Sequence, residues 1–218
     1  MTSHSGFKWP ESGPISAPDW KPTKECGNGL HGFMWGEGDG ALASWDATAK
    51  WLVVSVDTAS VIDLGGKVKF PRGEVVFCGD RAGATGYLLL RLPTPRRVIG
   101  AVVAAGCSGT ATAGDSGTAT AGYRGTATAG DRGTATAGDR GTATAGCSGT
   151  ATAGYRGTAT AGYRGTATAG DRGTISIAWY DPAKKKWSRS CAEVGENGIK
   201  PNVPYRVNVE GKFVEVAK

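Results

Sequence analysis

Residues 106–169 repeat one eight-residue unit, G-x-x-G-T-A-T-A, eight times without an insertion, and a degraded ninth copy, GDRGTISI, follows at 170–177. A short fixed period without slippage marks a stacked solenoid, in which each repeat buries its apolar side against its neighbours. The unit also excludes other folds. Two glycines in every unit and the absence of a 3.6-residue period do not suit a helix. Glycine does not fall at every third position, so collagen is ruled out. A disordered Gly/Thr/Ala tract is the remaining rival, since these residues bury little apolar surface. Disorder, however, would not need the order Thr-Ala-Thr-Ala to be kept so strictly.

Successive side chains of a strand point to opposite faces. Each Thr-Ala-Thr-Ala stretch therefore turns its threonines outward and its alanines inward. The glycine-bounded pair turns the chain, and its glycines are expected to take dihedrals closed to other residues. One unit is too short to go round a coil and return, whereas two units supply two short strands and two turns. The expected architecture is mainly β: a short β-solenoid of about four 16-residue coils, two GxxGTATA units each, roughly 20 Å long. Globular segments are expected to cap both ends, because bare solenoid ends expose unpaired edges. The core is mostly Ala facing Ala and must be thin, each methyl contributing little. Ile175 and Ile177 stand at inward positions of the ninth copy, as a junction with a larger core requires.

Texture divides the chain into residues 1–105, a globular α+β or β cap, the repeat at 106–173, and a C-terminal β-hairpin cap at 174–218. In the first segment prolines at 10, 14, 18 and 22 give an extended lead-in, and the N-terminal MTSHS reads as disordered. KWLVVSVD and EVVFCG read as strands, SVIDLGGKVKF as a short turn onto another strand, AGATGYLLLRL as a short helix, and RVIGAVVAAG as a strand entering the repeat. In the last segment TISIAWYD and KKWSRSCAEV form a hairpin around Pro182. PYRVNVEGKFVEV forms a second one turning at Glu210-Gly211, with Val207 and Val209 on one face.

At a sixteen-residue period the variable second position falls into two turn rows. Cys107, Tyr123, Asp139, Tyr155 and Asp171 make one row, and Asp115, Asp131, Cys147 and Tyr163 the other, so no bridge joins Cys107 to Cys147. The same register sorts the threonines. One flat face displays Thr110, Thr112, Thr126, Thr128, Thr142, Thr144, Thr158 and Thr160. The opposite face displays Thr118, Thr120, Thr134, Thr136, Thr150, Thr152, Thr166 and Thr168. Threonines lie about 7 Å apart within a strand and about 4.8 Å apart between coils. β-Branching restricts their rotamers, so each face is a stiff lattice of methyls and hydroxyls able to order surface water.

AGYRGTATAGDRGTATAG resembles the central repeats of bacterial ice-nucleation proteins, which carry an octapeptide within a sixteen-residue coil and a Thr-x-Thr motif. It shares that motif with insect β-helical antifreeze proteins. The resemblance covers about residues 106–173 and implies ice binding with weak nucleation. The chain departs from the family in having fewer coils, a different N-terminal segment and no regular tyrosine row. The flanks ECGNGLHGFMWGEGDG, GGKVKFPRGEVVFCGDR and GENGIKPNVPYRVN are similar to an uncharacterised bacterial and phage-associated family that brackets such repeats.

The remaining residues give little chemistry. Glu25, Cys26 and His31 lie close in sequence, and Cys26 with His31 would suit a nucleophile and base. Cys26, His31 and Cys78 with one more ligand would hold zinc. Neither set has a diagnostic spacing. Asp57, Asp63, Glu74 and Asp80 stand near strand ends as candidate acids or bases. No phosphate-binding loop is present, and no cofactor, metal or catalytic residue is assigned. The net charge is +6, with knots at Pro95-Arg96-Arg97 and Lys184-Lys185-Lys186 that read as solvated surface more than as a nucleic-acid site. No apolar run spans a bilayer. An odd set of five cysteines and no secretory leader point to a reduced, cytoplasmic setting. The leading function is a structural or interaction scaffold presenting ordered Thr arrays, with self-association or ordered water as partner. Ice binding is the alternative, and a Cys/His-dependent enzyme in the first segment is the third reading.

Overall fold

The computed structural model describes residues 6–93 and 96–217. The disorder read at the N-terminal MTSHS lies outside the described residues. Residues 1–99 and 100–218 form two compact units.

Among its described residues the first unit holds two small antiparallel sheets, one α-helix and three short 3-10 helices. Its strands are β1 (Gly13–Ser16), β2 (Leu30–Gly32), β3 (Trp51–Ser55), β4 (Ile62–Asp63), β5 (Val68–Phe70) and β6 (Arg72–Gly79). They pair in the orders β1-β6-β3 and β2-β5-β4. Ile15, Leu30, Phe70 and Val75 are buried together between them. Helix α1 (Arg81–Leu89) starts where the Asp80 carboxylate accepts the Gly83 N–H at 2.7 Å, an N-cap that satisfies one free donor of the first turn. Lys69 is wholly buried; its ammonium donates to the Glu25 carbonyl at 2.9 Å and lies 5.7 Å from the Trp20 ring centre.

The second unit is the solenoid. Its strands are β7 (Val102–Ala105), β8 (Thr110–Thr112), β9 (Thr118–Ala121), β10 (Thr126–Ala129), β11 (Thr134–Ala137), β12 (Thr142–Ala145), β13 (Thr150–Ala153), β14 (Thr158–Ala161), β15 (Thr166–Ala169) and β16 (Thr174–Asp181). Odd and even strands form two separate parallel sheets. Every pairing is in register at sixteen residues: Thr126 faces Thr110 and Thr142, and Thr134 faces Thr118 and Thr150. The two-unit coil is thus the observed one, and alanines 111 to 169 of the repeat are 3 % exposed or less. The stack has about five coils, not four. The additional rung comes from β7, which pairs with β9, and from residues 100–105 acting as an unmarked copy of the repeat. Gly100 there has φ 68°, and its N–H donates to the Asp115 carbonyl as the equivalent residues of later coils do.

The turns correct one expectation. The repeat glycines do not adopt left-handed dihedrals; the third residue of each unit does. Ser108, Ser116, Arg124, Arg132, Arg140, Ser148, Arg156, Arg164 and Arg172 all have φ between 51° and 58°. The glycines are required by space. A Cβ on Gly141 would lie 2.8 Å from the Ala137 Cβ, from the Gly125 carbonyl oxygen of the coil before and from the Gly138 oxygen. Replacing the strained third residue is accordingly expected to help. Left-handed backbone costs a non-glycine residue about 1–2 kcal/mol, and glycine gives back about half of that gain as chain entropy. Arg132→Gly should raise stability by roughly 0.5–1 kcal/mol in urea unfolding. An unchanged or lower midpoint would show that this backbone position carries no strain.

The C-terminal segment adds antiparallel strands to both sheets. β17 (Lys186–Glu193) pairs with β16 across the expected Pro182 turn, where Asp181 accepts the Ala183 and Lys184 N–H groups. β18 (Tyr205–Val207) joins β15 and pairs with β19 (Phe213–Glu215). Val207 packs on the core, but Val209 is 76 % exposed and does not share its face. The strand ends at Val207 because the Asn208 side chain accepts the N–H groups of Glu210 and Lys212 and closes the turn early. Ile175 and Ile177 are buried, as expected, with Val194, Ile199 and Tyr205.

Candidate functional site

The solenoid presents two outer faces, and the strand register sets which threonines share each. On the even sheet, Thr110, Thr126, Thr142 and Thr158 form one ladder and Thr112, Thr128, Thr144 and Thr160 a second. All eight retain solvent exposure. In the next rung Thr174 stays partly exposed, but Ser176 is buried: Arg189 donates to its hydroxyl at 3.1 Å and the Cys191 thiol lies 3.3 Å from it. On the odd sheet Thr118, Thr134 and Thr150 align, as do Thr120, Thr136, Thr152 and Thr168. Thr166 differs. It is buried, with its hydroxyl accepting from Arg206 Nε at 3.0 Å. At the other end of this face the rung is Val102 and Ala104 in place of threonines. The even face is therefore the longer uninterrupted Thr-x-Thr lattice, with four complete rungs against three.

The turns stiffen both faces. The third-position N–H of each turn donates to the second-position carbonyl of the next coil: Ser108 to Tyr123, Arg124 to Asp139, Arg132 to Cys147. These bonds fall within the two expected rows and place Cys107 and Cys147 in opposite ones. Aspartate does more than add solubility. Asp115, Asp131 and Asp139 accept the backbone N–H of Asp131, Cys147 and Tyr155, each sixteen residues on, at 3.1, 2.7 and 2.9 Å. A carboxylate accepting a backbone N–H is a charge-assisted bond. Arg124, Arg156 and Arg164 each lie over the neighbouring tyrosine ring at 5.1–5.5 Å.

Several of the other candidates serve the backbone. Cys26 lies 3.2 Å from Lys67 Nζ, and no hydrogen bond joins it to His31 among the described residues. His31 sits in β2 opposite Lys69, with its Nε2 buried and unbonded. Burial, then Lys67 and Lys69, hold its pKa below the usual value, against a smaller opposing effect of Asp19. Cys78 pairs with Leu52 in the β3–β6 ladder, and no metal-ligating group of three converges among the described residues. Asp57 and Asp63 accept the Ala59 and Gly65 N–H groups and so close turns, while Asp80 caps α1. Glu74 lies opposite Pro14 and Ser55 in the sheet. Arg96 is paired with Glu37 at 3.0 Å and Lys184 with Asp181 at 3.3 Å, so both basic knots are partly neutralised. No helix among the described residues is long and apolar enough to cross a membrane.

Comparison with known proteins finds relatives along part of the chain only. Over 97 residues the chain is 42 % identical to an ice nucleation protein of Pseudomonas syringae, a match covering 44 % of this chain and 8 % of that protein. It is 44 % identical over 90 residues to an ice nucleation protein of Pseudomonas fluorescens, covering 40 % and 7 %. One from Xanthomonas campestris pv. translucens is 40 % identical over 95 residues, covering 43 % and 6 %. The chain thus spans less than a tenth of the length of the curated relatives it matches. No family model and no solved structure matches it. The chain is a Thr-rich β-solenoid repeat protein whose repeat resembles those of bacterial ice-nucleation proteins.

Proposed function

We propose that the solenoid is an ice-binding module and that the even face, Thr110 to Thr160, is its working surface. One observation carries the reading: four Thr-x-Thr rungs stacked in register on a parallel sheet. Strand spacing sets the hydroxyls about 4.8 Å apart between coils and just under about 7 Å apart along each strand. The methyl beside each hydroxyl limits rotation, so the array holds water in fixed positions at low entropic cost. The names of the relatives support an ice-related role, and the small number of coils suits binding to a crystal face better than strong nucleation. The odd face, shortened by Arg206 over Thr166 and by Val102, contributes less.

The test is thermal hysteresis and ice-crystal morphology on the pure chain, beside droplet freezing. Replacing Thr126, Thr128, Thr142 and Thr144 by Tyr should abolish crystal shaping while circular dichroism and unfolding stay close to the parent. The matched set on the odd face, Thr134, Thr136, Thr150 and Thr152, should reduce it weakly. An inactive parent, or an active even-face variant with the fold intact, would sink the proposal and leave the stiff solenoid as a spacer or interaction scaffold.

A further inference from the structure

The first unit contains a feature unrelated to the solenoid. A cavity of about 680 Å³ opens among residues 9–99. Small-molecule sites run from about 300 to 1,000 Å³. Its walls are aromatic: Trp9, Phe33, Trp35, Trp51, Phe70 and Tyr87 all line it. Three apolar lining residues stay open to solvent, Trp35 at 43 %, Leu42 at 51 % and Val76 at 39 %. Scattered exposed apolar residues are ordinary, but several gathered around one concave site mark a place where something binds.

Trp35 gives a second, independent sign. It has φ 56° and ψ 19°, the left-handed region, which a bulky aromatic residue seldom occupies. Its ring lies 5.9 Å from the Arg96 guanidinium, which in turn is held by Glu37. Strain of this kind persists where surrounding contacts over-determine it, and it concentrates at ligand clamps.

The charge of the lining narrows the ligand. No Asp or Glu lines the cavity; its permanently charged residues are Lys50 and Arg91, both exposed. Neither forms an ion pair with a carboxylate among the described residues. Arg91 is placed by Tyr87, its guanidinium 3.6 Å from the ring centre. An aromatic cavity with unpaired cations and no acid has the complement of an amphipathic anion.

We infer that this cavity binds a small monocarboxylic acid with an apolar body. The body packs among Trp35, Trp51 and Tyr87, and the carboxylate meets one of the two cations, Lys50 or Arg91. The test titrates the full chain with dodecanoate below its micellar concentration, and with dodecanol, by calorimetry and tryptophan fluorescence. Dodecanoate should bind saturably at one site. Dodecanol should bind about tenfold more weakly, the value of one charge-assisted contact, and so should dodecanoate to the Lys50→Ala/Arg91→Ala double variant. Val76→Trp, at an exposed lining position, should fill the cavity and remove binding with the unfolding transition of the first unit unchanged. Equal affinity for dodecanol, undiminished binding to a folded Val76→Trp, or no saturable binding of either ligand would each overturn the inference. None of these outcomes bears on the ice reading, which rests on the other unit.

Discussion

Gly141→Ala is expected to cost about 3 kcal/mol or more, the upper end for overpacking a core, and to break the stack at its centre. The new methyl would meet the Ala137 Cβ and the carbonyl oxygens of Gly125 and Gly138, all at 2.8 Å. None of the three sits on a flexible side chain that can turn aside. The Gly125 oxygen also accepts the Thr142 N–H at 2.9 Å, so moving it weakens the ladder between coils. The chain supplies its own comparison. Ala101 occupies the same position at the start of the stack and is fully buried without conflict, because no earlier coil of the unit places a carbonyl against it. Gly109→Ala should therefore cost less, since its methyl would meet Ala105 Cβ at 2.8 Å but no oxygen closer than 3.1 Å. Gly86→Ala, in α1 with nothing within 4 Å, should instead stabilise the first unit by about 0.5–1 kcal/mol. Urea unfolding followed by circular dichroism ranks the three variants. If Gly141→Ala proves as mild as Gly109→Ala, coil-to-coil contact is not what the glycines serve.

The second large effect comes from making the ninth copy look like the others. Ile175→Ala with Ile177→Ala restores Thr-Ala-Ser-Ala, close to the repeat itself, yet should remove about 2–5 kcal/mol for each isoleucine. Both side chains are at most 1 % exposed and pack with Val194, Ile199 and Tyr205, which lie beyond the last alanine layer. Alanine fills the narrow gap between two repeat strands, but it leaves a void where the sheets meet the C-terminal strands. The double variant should melt at a clearly lower temperature and lose its C-terminal protection from proteolysis first. A melting temperature equal to the parent's would mean that the C-terminal strands contribute nothing to the stability of the stack.

The coil was legible because the repeat states it in every unit. Thr/Ala alternation gives the faces, and two units give the closed turn. The turns were harder, since glycine is chosen both for left-handed backbone and for close approach, and the letters do not say which. The revealing sign was the arginine or serine between the glycines, which stands in the left-handed position in every unit. The first rung was hidden because VIGAVVAA keeps only the small residues and the alternation of the motif. The loss of Thr166 was invisible for another reason: Arg206, which covers it, lies 40 residues away. The aromatic cavity was beyond reach altogether, for its walls come from segments spread over residues 9–99 and no local pattern joins them.

The sixteen-residue register has a consequence for how such a chain changes length over generations. Because every coil makes the same bonds to the one before, copying or losing a whole pair of units by unequal recombination leaves all contacts intact and alters only the number of rungs. Copying or losing a single unit does not. It exchanges the two sheets for everything downstream and turns the C-terminal hairpins to the opposite side of the stack. Both kinds of step keep the bonds from coil to coil, but only an even one keeps the two ends of the stack in their present relation.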